Sequence, residues 1–189
     1  GQYVAFNRTP YQHMLAGTRT WNVASGGGFT ALMQFAFTGT VSDNERIFDF
    51  GSAGPDNNIV IRRAINFAAI MFTVYNGGTK VGDVQPPGNG YMQQDEWALF
   101  TVRYDAATRL VDFTKDWSPL GNGTLPDAIT DRTLTNNFIG RSNWGDPSAS
   151  VKMGFFYATD RYLSFGAMQA VASSLSHPSI FLSLIHISE

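Results

Sequence analysis

Along Phe29 to Phe37 the chain alternates with period two, which places Phe29, Ala31, Met33, Phe35 and Phe37 on one face of an extended segment, because successive side chains of a strand point to opposite sides. Bulky apolar side chains crowded on one face of a strand have to be covered by a second layer. Each contributes about 1.5–3 kcal/mol when fully buried, so the stretch predicts a strand with one face in a packed core. The opposite positions, Thr30, Leu32, Gln34 and Ala36, are small or mixed and predict a partly covered outer face. Thr38 to Asn44 turns the chain, and Arg46 to Phe50 alternates again.

The same pattern recurs along the chain. Short strands are expected at Gln2 to Phe6, around Trp21, and at Asn58 to Arg63 with Ile59 and Ile61 inward. Ile70 to Tyr75 and Lys80 to Val84 flank Asn76-Gly77-Gly78, a hairpin signal. Trp97 to Tyr104 and Arg109 to Lys115 flank Asp105 to Thr108, which reads as a four-residue hairpin loop. Trp97 opens its strand and is expected in the core. Asp116 to Arg132, with Pro119, Gly121, Gly123 and Pro126, reads as irregular. Asn137 to Arg141 and Val151 to Thr159 read as strands, the latter with Val151, Met153, Phe155 and Tyr157 on one side. Leu163 to Leu175 carries the one helical spacing. Ser25-Gly26-Gly27-Gly28 precedes a strand, where a phosphate-cradling loop requires a helix. The expectation is an all-β, two-sheet antiparallel sandwich with a short C-terminal helix.

Composition narrows the function. Aromatic residues make up 14% of the chain and charged residues only 15%, against about a quarter in ordinary domains, so a packed core is expected. A net charge of -2 with scattered basic residues argues against binding nucleic acid through phosphate neutralisation. No run approaches the roughly 20 apolar residues of a membrane span, so membrane insertion is not expected. Cysteine is absent, which removes disulfides, thiolate metal sites and a cysteine nucleophile.

Residues 1–175 are expected to form one domain and 176–189 a tail. Within the tail, LSLIHISE at Leu182 to Glu189 matches one reading frame of a transposase adapter used in sequencing-library preparation, and it is set aside from fold reasoning. The chain opens on Gly1 and reads as a fragment of a larger protein with other domains.

The segments GGFTALMQFAFTG, ERIFDFGSAGPDNNIVI, DEWALFTVRYDAATRLV and NNFIGRSNWGDP, followed by YLSFGAMQAV, resemble in their order the laminin-G-like, concanavalin-A-like jelly-roll family, over roughly Tyr3 to Ala172. The resemblance implies two curved antiparallel sheets. It also implies recognition of glycans or protein partners outside the cell, in a fold shared with glucanases and polysaccharide lyases. Two departures stand out. Ala98-Leu99-Phe100 stands where many relatives carry paired His, and Lys152 to Phe156 stands where they carry an acidic segment, so no acidic ligand group carries over there.

Catalysis by a retaining glycosidase needs two carboxyl groups about 5–5.5 Å apart. Glu45 and Asp49 are the nearest candidates, but four residues along one strand face separate them by about 13 Å. His13, His177 and His186 are the only histidines, and no Gly-x-Ser-x-Gly elbow marks a nucleophile. Calcium takes oxygen ligands from loops; Asp56, Asn57 and Asn58, or Asn143 and Asp146, supply such oxygens, although Asp and Asn also cap turns. For a sugar, an aromatic face with nearby amides or carboxylates is required. Trp144 between Asn143 and Asp146 offers that combination, unless it serves to cover the end of the sandwich. Trp117 beside Asp116, and Tyr91, are the other aromatic candidates on irregular stretches. Asn7-Arg8-Thr9 and Asn122-Gly123-Thr124 are glycosylation sequons. The sequence thus points to a non-catalytic, extracellular or cell-surface module binding a glycan or glycoprotein. The alternatives are a glycoside hydrolase or polysaccharide lyase of the same fold, or an adhesive protein-contact domain.

Overall fold

A computed structural model describes residues 3–6, 13–39, 44–63, 69–88, 91–175 and 185–187. The period-two stretch becomes β4 (Gly28–Phe37), preceded by β1 (Val4–Phe6), β2 (Met14–Leu15) and β3 (Arg19–Trp21). Then follow β5 (Arg46–Gly51), β6 (Ile59–Arg63), β7 (Ile70–Asn76) and β8 (Thr79–Val84). The second half holds β9 (Ala98–Asp105), β10 (Leu110–Lys115), β11 (Ser118–Thr124), β12 (Arg132–Leu134), β13 (Asn136–Ile139) and β14 (Val151–Thr159). The helix α1 (Phe165–Leu175) comes next, and β15 (Ile185–Ile187), inside the stretch read as foreign, adds parallel to β14.

One sheet runs β1-β14-β4-β9-β10-β11 and the other β2-β13-β5-β6-β7-β8, each antiparallel along that path, with β3 and β12 as a separate pair. This is the jelly-roll sandwich. Phe29, Ala31, Met33, Phe35 and Phe37 all sit in the main core, facing Phe48, Phe50, Ile59, Ile61, Phe72 and Val74 from the other sheet. Trp21 stacks on Phe50 at 5.0 Å between ring centroids, and its indole N–H donates to Asn137 Oδ1 at 3.2 Å, so the large ring is buried without an orphaned donor. Leu32, on the outer side of β4, joins a second apolar cluster with Phe155, Tyr157, Met168 and Ala172, which is how α1 docks.

Four expectations are corrected. A bulge at Gly154 shifts the register of β14 between Met153 and Phe155, so Val151, Met153, Phe156 and Ala158 face the core while Phe155 and Tyr157 face α1. Trp97 lies one residue before buried Ala98, hence on the outer parity of β9, and is 41% exposed. The stretch after Asp116 is not all irregular. Ser118 to Thr124 forms the edge strand β11, a position that tolerates Pro119 because one side needs no ladder partner. Finally, a bulge between Arg46 and Phe48 puts Glu45 and Asp49 on opposite faces of their sheet. Glu45 pairs at 3.2 Å with Arg63, whose guanidinium lies over core Phe37, whereas Asp49 bonds to the loop outside.

No helix among the described residues is long and apolar enough to cross a membrane. The sequon at Asn122 lies on exposed β11; the one at Asn7 and His177 lie outside the described residues.

Candidate functional site

The bulge in β5 turns Arg46 outward, opposite Arg62 of β6, and the next outward residue is Asp49. Both are buried, Asp49 fully and Arg46 to 4% exposure, because the loop between β13 and β14 folds over them. Asp49 organises that loop. Its carboxylate accepts from the Asn143 backbone N–H at 2.9 Å, the Asn143 amide at 2.9 Å and the Asn58 amide at 2.6 Å, while its backbone carbonyl accepts a further bond from the Asn143 amide at 2.9 Å. Asn143 also donates to the Asn136 carbonyl at 3.0 Å. The Arg46 backbone N–H donates to the Pro147 carbonyl at 3.1 Å, and its guanidinium pairs with Asp146 and, at 3.9 Å, with Asp49.

Trp144 is set by these anchors. The Arg46 guanidinium lies 4.9 Å from its ring centroid, and Tyr75 of β7 meets it edge to face at 5.5 Å and 82°. Its backbone N–H donates to Ser142 Oγ at 3.1 Å. Beside the ring opens a pocket of about 230 Å³, lined by Arg141, Ser142, Trp144, Gly145, Asp146 and Ser148.

Burial governs the charges beneath it. Desolvation pushes the Asp49 carboxyl above its ordinary value, against the hydrogen bonds from Asn143 and Asn58 and the nearby Arg46 charge. Desolvation likewise lowers the Arg46 guanidinium, against Asp146 and Asp49. Arg46 Nε and Nη1, Asn58 Oδ1 and Asn143 Oδ1 are buried and meet no hydrogen-bond partner among the described residues.

Of the residues expected in a site, Asn143, Trp144 and Asp146 converge, with Asn143 serving as an anchor and the other two lining the pocket. Trp117 lies elsewhere, in the β10–β11 turn, where it meets Phe165 of α1 at 5.4 Å and 75° and packs against the helix cluster. Tyr91 lies elsewhere again. Its hydroxyl accepts from the Ile70 N–H at 3.2 Å and donates to the Ile70 carbonyl at 3.3 Å, and burial pushes its pKa up to about 12. Asp56, Asn57 and Asn58 diverge. Asn58 turns inward to Asp49, while Asn57 Oδ1 accepts from the Gly77 N–H at 2.8 Å across the β7–β8 turn and Asn57 donates to Asp56 at 3.1 Å. Among the described residues no three His, Cys, Asp or Glu side chains gather as metal ligands do. The carboxylates of Glu45 and Asp49 are both engaged and face different ways. His13 packs on Phe138 at 5.2 Å and lies 3.3 Å from Arg141.

The residues that the sequence pattern leaves unmarked are Arg46, Tyr75, Arg141, Ser142 and Ser148. The one available signal is Arg46, a charge inside an alternating apolar strand.

No protein-family model matches the chain, and no curated protein sequence matches it. Solved structures do. A heptameric SAP-like pentraxin from Limulus polyphemus matches 90% of this chain and 80% of its own at 13% identity and a TM-score of 0.58. The mouse laminin α1 domains LG4-5 match 86% of this chain at 12% identity and a TM-score of 0.60, and the chain spans 44% of that pair. The CBM40 domain of the Ruminococcus gnavus IT-sialidase, bound to α2,3-sialyllactose, matches 85% of this chain and 95% of its own at 9% identity and a TM-score of 0.54. Likeness at these identities shows the fold: a jelly-roll sandwich of the kind found in laminin-G and lectin-like domains.

Proposed function

We propose that this domain is a non-catalytic recognition module of an extracellular or cell-surface protein, and that it binds a glycan, free or carried on a glycoprotein, in the pocket beside Trp144. The observation that carries the reading is the built pocket itself. An aromatic ring held from behind by Arg46 and Tyr75 stands next to the hydroxyls of Ser142 and Ser148, the Arg141 guanidinium and the Asp146 carboxylate. A sugar presents C–H groups to a ring and hydroxyls to such donors and acceptors. Because the loop is fixed to Asp49 before any ligand arrives, little side-chain ordering remains to oppose binding. Sialyllactose on a domain of the same fold supports the ligand class.

The test is a glycan array probed with the full chain and with Trp144→Ala, each in calcium and in chelator. Saturable binding that falls at least about tenfold, or about 1.4 kcal/mol, on Trp144→Ala and survives the chelator is the expected result. Absence of binding to every glycan overturns the reading and favours an adhesive protein-contact role, whereas glycan binding indifferent to Trp144→Ala overturns the assignment of the site to this pocket.

A further inference from the structure

Two exposed aromatic rings meet on the far side of the sandwich, on the outer face of the β1-β14-β4-β9 sheet. Tyr3 is 50% exposed and Trp97 is 41% exposed, and their centroids stand 5.8 Å apart at 58°. They reach each other from flanking strands across a floor of small residues. Ala36 is one; the bulge residue Gly154 is the other, where an added Cβ would sit 2.5 Å from Gln34 Oε1 and 3.5 Å from the Trp97 ring. The Gln34 amide therefore lies beside the Trp97 ring. Lys152 Nζ is 5.7 Å from the Tyr3 ring centroid and 3.8 Å from Asp95 Oδ1.

From this arrangement we infer a second carbohydrate site, distinct from the Trp144 pocket and not resting on it: Tyr3 and Trp97 form a platform for a neutral pyranose, with Gln34, Asp95 and Lys152 placed to bond its hydroxyls. Rings left half in water gain by covering their faces, and the C–H face of a pyranose does so while its equatorial hydroxyls stay at the polar rim. Lys152 and Asp95 offset each other, so neither sign of ligand charge is selected. The 58° tilt makes a shallow V that seats one sugar unit, or two successive units of a twisted chain, rather than a flat array. The patch is also confined. Along the same sheet Phe155 and Tyr157 are already covered by α1, which bounds the patch on that side. The opposed positions of the two sites let one domain hold two glycan chains, which raises avidity on a repetitive surface without any new contact.

The full chain is titrated with cellohexaose, xylohexaose, laminarihexaose, mannohexaose and chitohexaose while the indole N–H resonances of its four tryptophans are followed by NMR. At least one hexasaccharide is expected to shift the Trp97 indole saturably, with Trp97→Ala weakening binding about tenfold or more, Trp97→Tyr restoring most of it and Trp144→Ala leaving it unchanged. Trp97 is surface-exposed, so an unchanged thermal melt of Trp97→Ala checks that the fold is intact. A Trp97 resonance unmoved by all five probes, or affinity untouched by Trp97→Ala, overturns the inference. So does a Trp97 shift that follows protein concentration instead of sugar, because the platform is then a contact between copies of the chain.

Discussion

The two sheets of the sandwich are covered on their outer sides by opposite chemistry. Outside β4, β9 and β14, the helix α1 lays Met168 and Ala172 on Leu32, Phe155 and Tyr157, and the seam is apolar. Outside β5 and β6, a loop without regular structure lies over Arg46, Asp49 and Asn58, and the seam is a web of charges and amides. The apolar seam is non-directional and tolerates small shifts. The polar seam fixes each group to named partners, and its buried atoms without partners mark where matching is incomplete. A pocket with defined walls opens on the polar side, where the covering segment is held by a few directional bonds rather than by continuous packing.

The sharpest way to break that contrast is Asp49→Ala. It removes the acceptor shared by Asn143 and Asn58 and one of the two carboxylates facing Arg46, leaving a buried cation with Asp146 alone. Breaking a buried pair from one side costs about 3–5 kcal/mol. The denaturant midpoint should fall accordingly, and glycan binding at Trp144 should disappear with the loop's anchorage. A loss near the 0.5 kcal/mol or so typical of a surface change means that the loop stands without this network.

Next in size is Met168→Ala on the helix side. Met168 is fully buried, and truncating a buried Met costs about 2–5 kcal/mol; the low end is expected, since an 11-residue helix lying on one sheet face can settle toward the cavity. Glycan binding at Trp144 should be unchanged. Combined with Asp49→Ala, the two losses should add within about 0.3–0.5 kcal/mol. A larger coupling would show that the two coverings act through the shared core.

Parity explains both what the sequence reveals of this molecule and what it hides. In β4 the alternation is unbroken over ten residues, so its core face is readable from Phe29 to Phe37 without any structure. In β14 and β5 a single bulge reverses the parity partway, which sends Phe155 to the helix and sets Glu45 and Asp49 on opposite faces. A bulge leaves little local mark beyond Gly154, so readings that assume continuous alternation fail there. Trp97 is different: it opens an alternating strand and so reads as core, yet buried Ala98 beside it puts it on the outward parity. Trp144, Asn143 and Asp146 are legible as a polar loop with one ring. Arg46 and Asp49 beneath them are nearly a hundred residues away in sequence, and only the sheet brings them together.

The smallest expected effect concerns the turn that ties the hairpin to α1. Asp116 and Trp117 both hold positive φ, 49° and 68°, the left-handed pair that a two-residue hairpin turn of this type requires and that Asn-Gly or Asp-Gly usually supplies. An L residue there costs about 1–2 kcal/mol, and for a residue as bulky as Trp the conformation persists only where something holds it. Asp116 is tied to Leu99 by its backbone N–H and its carboxylate, each at 2.8 Å, and the Trp117 ring packs against Phe165 at 5.4 Å, a contact of about 0.5–1.5 kcal/mol beyond area burial. Trp117→Gly relieves the turn and removes the clamp together, so the global melting temperature should move little. Hydrogen exchange separates the two: amides of β10 and β11 should exchange no faster than before, while those of α1 lose protection. Equal loss in hairpin and helix would mean that Trp117 stabilises the hairpin directly, and that the apolar seam holds α1 without it.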